Sequence, residues 1–223
     1  MSDSHQRELE RAAALGDDAA RAKLLAERVR SGSLDPARLR LAAHLGDSAA
    51  RTALDGEAPA VIEALGSWVG ALGAWGRPLV VRSLLVATRR VLPIFTAALP
   101  HEESPERALR GAEAWLQEPD EATALEAERA SHDAFACVQR VTQWLCQRDR
   151  LALFTGQQRV ALEYVPWTAR DAALGAFRAT CRGEDPEVSS LLRLDASMVG
   201  SGWLEEGALR AAIRGALVPL ALG

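Results

Sequence analysis

The pair His132-Asp133 combines two side-chain types that enzymes use for acid–base catalysis. An imidazole beside a carboxylate can take a proton from a nucleophile when the three groups meet in space. The pair lies in a segment with helical periodicity, however, and adjacent residues of a helix point in different directions. Neither Ser131 nor Cys137 belongs to a recognisable nucleophile motif. We therefore predict no catalytic residue and interpret His132 as a structural or surface histidine. An enzyme would require His132 to face Cys137 or a carboxylate in a deep pocket.

The other histidines and the cysteines do not form a metal-binding pattern. His44 and His101 lack the second histidine four residues away that a helical zinc site needs. The three cysteines have no CxxC spacing, which argues against a zinc site or a disulfide framework. The sequence also contains no Walker A, GxGxxG or GxSxG motif. We predict no cofactor and no metal, and we expect three buried, reduced thiols at Cys137, Cys146 and Cys181.

Residues 102–128 carry the strongest charge imbalance of the chain. The segment holds nine acidic residues against Arg107 and Arg110, a net charge of −7 in a chain whose total is −4. A local field of this sign attracts a basic protein partner and raises its association rate. The alternative is an ordinary solvated helix face. We predict that the carboxylates share one exposed face while Trp115 turns inward. We assign partner binding to Glu102, Glu103, Glu106, Glu113, Glu118, Asp120 and Glu121.

The composition indicates an all-α protein. Apolar residues make up 48% of the chain and charged residues 25%, as in an ordinary globular protein. Alanine and leucine dominate, whereas β-branched and aromatic residues are sparse, which favours helix over strand. The negative net charge argues against a nucleic-acid partner. There is no signal-peptide core, and the longest nearly uncharged run, 58–76, is too short to span a membrane. We therefore expect a cytoplasmic protein without a membrane partner.

An internal repeat organises residues 1–56. The sequence LGDDAAR at 15–21 recurs as LGDSAAR at 45–51, an offset of 30 residues. In each copy a glycine ends one helix and an aspartate caps the next, and Asp35-Pro36 adds another helix start. The pattern predicts four short helices near 5–15, 18–31, 36–45 and 48–55. This region resembles a pair of helical-hairpin repeats of the Sel1-like or tetratricopeptide kind. Two copies are too few for a solenoid, so we expect them to dock on the rest of the chain.

Residues 57–223 are predicted to form an irregular multi-helix bundle. An apolar stripe at helical spacing predicts one helix over 58–76, formed by Val61, Leu65, Trp68, Leu72 and Trp75. Three glycines in this helix would let a neighbour approach closely: Gly66, Gly70 and Gly73. The next helix, 78–99, is apolar on nearly every face, which places it at the centre of the bundle, with a kink at Pro93.

Start signals predict the helices that follow. They cover 104–118, 120 to about 153 with a break, 156–182 with an interruption at Pro166, a short helix from 185, and 205–218. We expect the six tryptophans to fill the core between small residues. These are Trp68, Trp75, Trp115, Trp144, Trp167 and Trp203.

Residues 82–137 resemble the immunity proteins of bacterial polymorphic-toxin systems. Members of that family have a helix ending in Leu-Pro-aliphatic-Phe, a loop with Pro and Asp, and an Arg-Pro-Arg helix start followed by Ala-aliphatic. A Trp and an Ala-Ala-His-Ala run come later. The matching residues are Leu92-Pro93-Ile94-Phe95, the loop from Pro100, Ser104-Pro105-Glu106-Arg107-Ala108-Leu109, Trp115 and Ser131-His132-Asp133-Ala134. Glu102-Glu103-Ser104 replace the acidic loop and the first Arg of the family, and Phe135-Ala136-Cys137 replace its Ala-rich run.

The resemblance implies a cytoplasmic, all-helical, non-catalytic protein that binds and neutralises a cognate toxin. The alternative function is a helical scaffold or adaptor that assembles proteins without a toxin partner. That alternative rests on the repeat in residues 1–56 and on the lack of a catalytic motif.

Overall fold

A computed structural model describes residues 3–146, 153–200, 202, 204–205 and 207–223 of the chain. These residues form eleven α-helices and no strand, so the all-α prediction is confirmed. None of the helices in this part of the chain combines the length and apolar character needed to cross a bilayer. The chain divides into two compact units, Met1–Glu63 with Arg214–Gly223, and Ala64–Ile213. The predicted boundary after residue 56 lies seven residues earlier than this division.

The first unit contains the four helices that the repeat predicts. They are α1 (Asp3–Ala14), α2 (Asp18–Arg30), α3 (Pro36–His44) and α4 (Ser48–Ala53), each within two residues of its predicted bounds. Gly16 and Gly46 have φ angles of 89° and 88°, the left-handed conformation that ends a helix. All three predicted aspartate caps accept backbone N–H groups: Asp17, Asp35 and Asp47.

The two copies of the repeat contact each other directly. The Ser48 hydroxyl donates to the carboxylate of Asp18 over 2.5 Å, and these two residues occupy the same position in their copies. Arg21 Nη2 donates to Asp47 Oδ2 over 2.7 Å. Asp47 is only 7% exposed, and its other oxygen caps α4. One buried carboxylate therefore both starts a helix and joins the copies.

The second unit contains the longer helices. They are α5 (Leu65–Ala71), α6 (Arg77–Ala98), α7 (Ser104–Gln117), α8 (Glu121–Leu145), α9 (Gly156–Phe177), α10 (Ser189–Gly200) and the start of α11 (Ala208–Leu222). Helix α9 packs against α6, α7, α8 and α10, so α9 occupies the centre that the sequence assigned to the helix over 78–99. Small side chains on α9 are fully buried and allow this close packing: Ala161, Ala169, Ala172, Ala173 and Ala176.

The helix predicted over 58–76 is wrong over its first half. Helix α5 begins only at Leu65 and passes into a 3₁₀ turn, Leu72–Trp75, while Val61 is 67% exposed. Pro59 disfavours helix at the residue before it, and each interior glycine costs about 1 kcal/mol of helix stability. The predicted close approach of a neighbouring helix occurs at only one of the three glycines, since a Cβ at Gly66 would collide with the side chain of Leu192 on α10. A Cβ at Gly70 would have no neighbour within 4 Å, and the atom nearest to a Cβ at Gly73 would be 3.9 Å away.

Two later elements also differ from their predictions. Helix α9 continues through Pro166, because this proline is buried and its packing outweighs the loss of one backbone hydrogen bond. Helix α10 begins at Ser189 rather than directly after Asp185. Helix α8 follows its prediction up to Leu145, and the rest of that predicted helix falls largely on 147–152, outside the described residues.

The end of α11 belongs to the first unit and is held there by arginines. Arg38 donates to the carbonyl oxygens of Leu220 and Ala221 over 2.6 and 3.0 Å, and Arg28 donates to that of Leu222 over 3.0 Å. The last carbonyls of a helix have no partner within the helix and carry partial negative charge. The two guanidinium groups supply these carbonyls with hydrogen-bond donors and with positive charge. They stabilise the last turn of α11, which extends beyond its predicted end at 218.

Candidate functional site

Helix α7 lies within the acidic segment and is anchored by a buried tryptophan. Trp115 is 2% exposed, and its Nε1 donates to Thr180 Oγ1 over 2.7 Å. The predicted inward orientation of Trp115 is confirmed. The next helix, α8, starts where the sequence predicts, because the Asp120 carboxylate accepts the backbone N–H of Thr123 over 2.8 Å. The hydrogen bonds from Thr123 hold the pKa of Asp120 below its ordinary value.

Two carboxylates of α7 bind one guanidinium on α6. Arg89 contacts Glu113 in a bidentate manner at 3.0 and 2.9 Å, and its Nη1 lies 2.7 and 2.6 Å from the two Glu106 oxygens. The three side chains are 33–40% exposed. Burial acts to lower the pKa of Arg89, but the bonds from Glu106 and Glu113 outweigh it and raise this pKa. Glu106 and Glu113 therefore join α7 to α6.

A third carboxylate joins the start of α7 to the end of α8. Glu102 accepts from Arg140 Nη2 over 2.6 Å and from the Ser104 hydroxyl and backbone N–H over 2.5 and 3.1 Å. Burial acts to raise the pKa of Glu102, but these hydrogen bonds outweigh burial and lower it. Glu102 is therefore an ionised carboxylate fixed in one position.

The seven predicted binding residues do not form one exposed face. Glu102 is turned toward α8, whereas Glu106 and Glu113 are turned toward α6, so three of the seven are ion-paired within the second unit. Arg89 and Arg140 lower the net charge of the acidic segment with its partners from −7 to −5. The other four carboxylates are exposed: Glu103, Glu118, Asp120 and Glu121.

The candidate catalytic residues do not come together. His132 is exposed, and Asp133 pairs with Arg107 at 3.6 Å. Cys137 is fully buried, and burial together with the nearby Glu102 raises the pKa of its thiol to about 12, so the thiolate nucleophile is not populated at neutral pH. Cys146 and Cys181 are exposed, which contradicts the prediction of buried thiols for these two. No cluster of three or more candidate metal ligands occurs among the described residues.

A groove opens beside the Glu102–Arg140 pair. Its volume is about 420 Å³, and its lining is mostly apolar: Leu99, Pro100, His101, Glu102, Arg140, Val141 and Trp144. Trp144 is half-buried and packs edge-to-face against Phe154, with ring centroids 5.3 Å apart. The groove combines a mostly apolar lining with an ion pair and a histidine, and protein-binding surfaces have this kind of composition.

Sequence reasoning missed this groove because it assigned Trp144 to the core. One signal could have found it. The connection between α7 and α8 is short, so the helices run antiparallel, and the start of α7 must lie beside the end of α8. The core assignment is right for Trp68 and Trp115, while Trp75, Trp144 and Trp167 are half-buried and Trp203 lies outside the described residues.

Comparisons of the chain with models of protein families, with curated proteins and with solved structures gave no match.

Proposed function

We propose that the chain is a non-catalytic, immunity-type protein that binds and neutralises a cognate bacterial toxin in the cytoplasm. The observation that carries this proposal is the groove between the α6–α7 connection and the end of α8. Its mostly apolar lining is open to solvent and includes a fixed carboxylate, Glu102. An inhibitor of this kind needs a preformed complementary surface and no reacting group.

The exposed carboxylates at the ends of α7 and at the start of α8 support a basic partner. Glu103 precedes α7, and Glu118 and Glu121 flank the α7–α8 connection. All three are exposed, and none forms an ion pair within the described residues. Their charge therefore remains available to steer an approaching cationic surface. The residues that resemble the immunity family lie on α6, α7 and α8, and α7 packs against both of the others.

Co-expression with the product of the neighbouring gene tests the toxin proposal. The wild-type chain should restore growth if that product is toxic, and Trp144→Ala should restore it poorly because the groove loses an aromatic wall. Trp75→Ala is the matched control, since it removes another half-buried tryptophan that does not line the groove. Both variants must keep the wild-type circular dichroism spectrum. Equal rescue by both variants would contradict docking at the groove.

Charge reversal tests the steering role separately. Glu118→Lys with Glu121→Lys should slow association at low salt and reduce its salt dependence. The fold should be nearly unaffected, because isolated surface charges contribute only about 0–1 kcal/mol each. Glu8→Lys with Glu205→Lys makes the same change in net charge at other exposed positions and serves as the control. Equal association rates for the two double variants would leave these carboxylates as a solvated face.

A helical scaffold is the second candidate function. It is favoured by the direct contacts between the two repeat copies, Ser48 with Asp18 and Arg21 with Asp47, which make a rigid pair of helical hairpins. Capture of several components of one assembly by the tagged chain, with no toxic neighbouring gene, would favour the scaffold and contradict the toxin proposal.

A further inference from the structure

Helices α9 and α10 border a second pocket that shares no lining residue with the acidic segment or the groove. Its volume is about 180 Å³. Both helices lie in the second unit. The lining consists of aromatic, cationic and hydroxyl side chains with two carboxylates: Tyr164, Trp167, Arg170, Asp171, Glu187, Ser189, Ser190 and Arg193. The pocket is thus small, polar and aromatic on one side.

The inner guanidinium of this pocket is held in place from three directions. Arg170 lies over the rings of Phe135 and Trp167, with its Cζ 5.3 and 5.4 Å from the two ring centroids. Its Nη1 donates to Asp171 Oδ1 over 3.0 Å, and Asp171 is only 4% exposed. Phe135 and Trp167 also contact each other edge-to-face at 5.6 Å. Arg170 therefore fixes Trp167 as a wall of the pocket.

The charges of the pocket leave one cation without a partner. Arg170 neutralises Asp171. Glu187 lies 3.7 Å from Arg178, which stands outside the pocket, and accepts a hydrogen bond from Ser189. Arg193 is exposed and forms no ion pair with the described part of the chain. The Arg193 guanidinium is therefore available to a negatively charged ligand.

We propose that this pocket binds a small aromatic carboxylate, with its ring against Trp167 and its carboxylate on Arg193. A planar carboxylate accepts two parallel N–H groups from a guanidinium, and a flat ring stacks on an indole. A volume of about 180 Å³ accommodates a ligand with a single aromatic ring. This site is independent of the proposed toxin-binding groove, since the two share no lining residue.

Benzoate and benzamide are suitable probes, because they share shape and differ in charge. Titration of the full chain, followed by calorimetry and ligand-observed NMR, should give a saturable benzoate Kd on the order of 1 mM. Benzamide should bind about tenfold more weakly, since it cannot make the charge-assisted bonds. Arg193→Gln should abolish this preference, and Arg193→Lys should keep part of it because the charge remains. Arg159→Gln, an exposed arginine on α9 outside the pocket, should leave it unchanged.

The outcomes that overturn the proposal are equally definite. Absence of saturable benzoate binding would exclude an anion site. Equal affinities for benzoate and benzamide would exclude recognition of the charge. An unchanged preference in Arg193→Gln, with a wild-type circular dichroism spectrum, would exclude Arg193 as the anchor.

Discussion

The carboxylates of the acidic segment fall into two sets: Glu106 and Glu113 hold α7 to α6, whereas the exposed ones are available to a partner. Removing the guanidinium of Arg89 tests the first set alone. Arg89 makes four contacts of 2.6–3.0 Å with Glu106 and Glu113. Arg89→Met keeps much of the side-chain volume but leaves two carboxylates without their shared cation. We expect this change to destabilise the second unit and to leave the exposed carboxylates untouched.

The expected loss of unfolding free energy in Arg89→Met lies between the value for a surface ion pair and the value for a buried one. At 4 Å and an effective dielectric constant of about 20, two unit charges attract by about 4 kcal/mol before desolvation is subtracted. Exposed pairs retain about 0–1 kcal/mol, whereas breaking a buried pair costs about 3–5 kcal/mol. The side chains here are 33–40% exposed, so water screens part of the attraction. We therefore expect Arg89→Met to lower the free energy of unfolding by about 2 kcal/mol.

A double-mutant cycle measures the pair itself. Arg89→Met, Glu113→Gln and the double variant should give a coupling energy of about 1 kcal/mol. All six tryptophans lie within Ala64–Ile213, so tryptophan fluorescence during urea unfolding reports on the second unit. The control is the pair of Arg107 and Asp133, whose atoms are 3.6 Å apart and whose side chains are 49% and 59% exposed. Its coupling should be near zero. Equal coupling energies in the two cycles would refute the assignment of Glu113 to the fold.

Three further changes have definite expected outcomes. Gly66→Ala should destabilise the wild type by about 1–2 kcal/mol but not the Leu192→Ala background, because the three atoms nearest to the added methyl all belong to the Leu192 side chain; an equal loss in both backgrounds, measured by urea unfolding, would contradict the clash. Arg38→Ala should speed hydrogen exchange in the last turn of α11, where two carbonyls lose a charged donor, whereas Arg40→Ala should not. Burial raises the pKa of Asp171, so the folded state binds this proton more tightly than the unfolded state. The cost of ionising Asp171 in the folded state is present above its folded pKa and disappears below the ordinary value of about 4, so the difference in unfolding free energy between Asp171→Asn and the wild type should favour the variant more at pH 7 than at pH 4; a difference that does not vary with pH would refute the shift.

Local signals predicted the helix starts well, because capping depends on residues close in sequence. Asp17, Asp47 and Asp120 all act as caps where the sequence places them. Tertiary packing determines the elements that differ from their predictions. Pro166 would interrupt an isolated helix, but its burial at the centre of the second unit keeps α9 continuous. The sequence could not anticipate this, because the neighbours that bury Pro166 come from other helices.

The sequence reveals the acidic segment, but it does not reveal which of the carboxylates are ion-paired and which are exposed. The partners of its paired carboxylates lie outside the segment: Arg89 is 24 residues from Glu113, and Arg140 is 38 residues from Glu102. Such pairs depend on which helices pack together, and composition within a window cannot reveal them. The groove was missed for the same reason, since Leu99 and Trp144 meet only when α7 and α8 fold back on each other.

The difference between ion-paired and exposed carboxylates determines how the effect of a charge reversal on partner binding has to be interpreted. A charge reversal at Glu102, Glu106 or Glu113 places a cation beside an arginine and disturbs the packing of α7, so weaker partner binding would follow even if none of them touched the partner. Glu103 is exposed and has no ion pair among the described residues, so its reversal changes the surface field alone. Of the three carboxylates around the start of α7, Glu102, Glu103 and Glu106, only Glu103 can therefore be reversed without breaking an ion pair. A slower association rate at unchanged stability can then be attributed to surface charge, whereas a loss of both reports on the ion pairs that hold α7 to its neighbours.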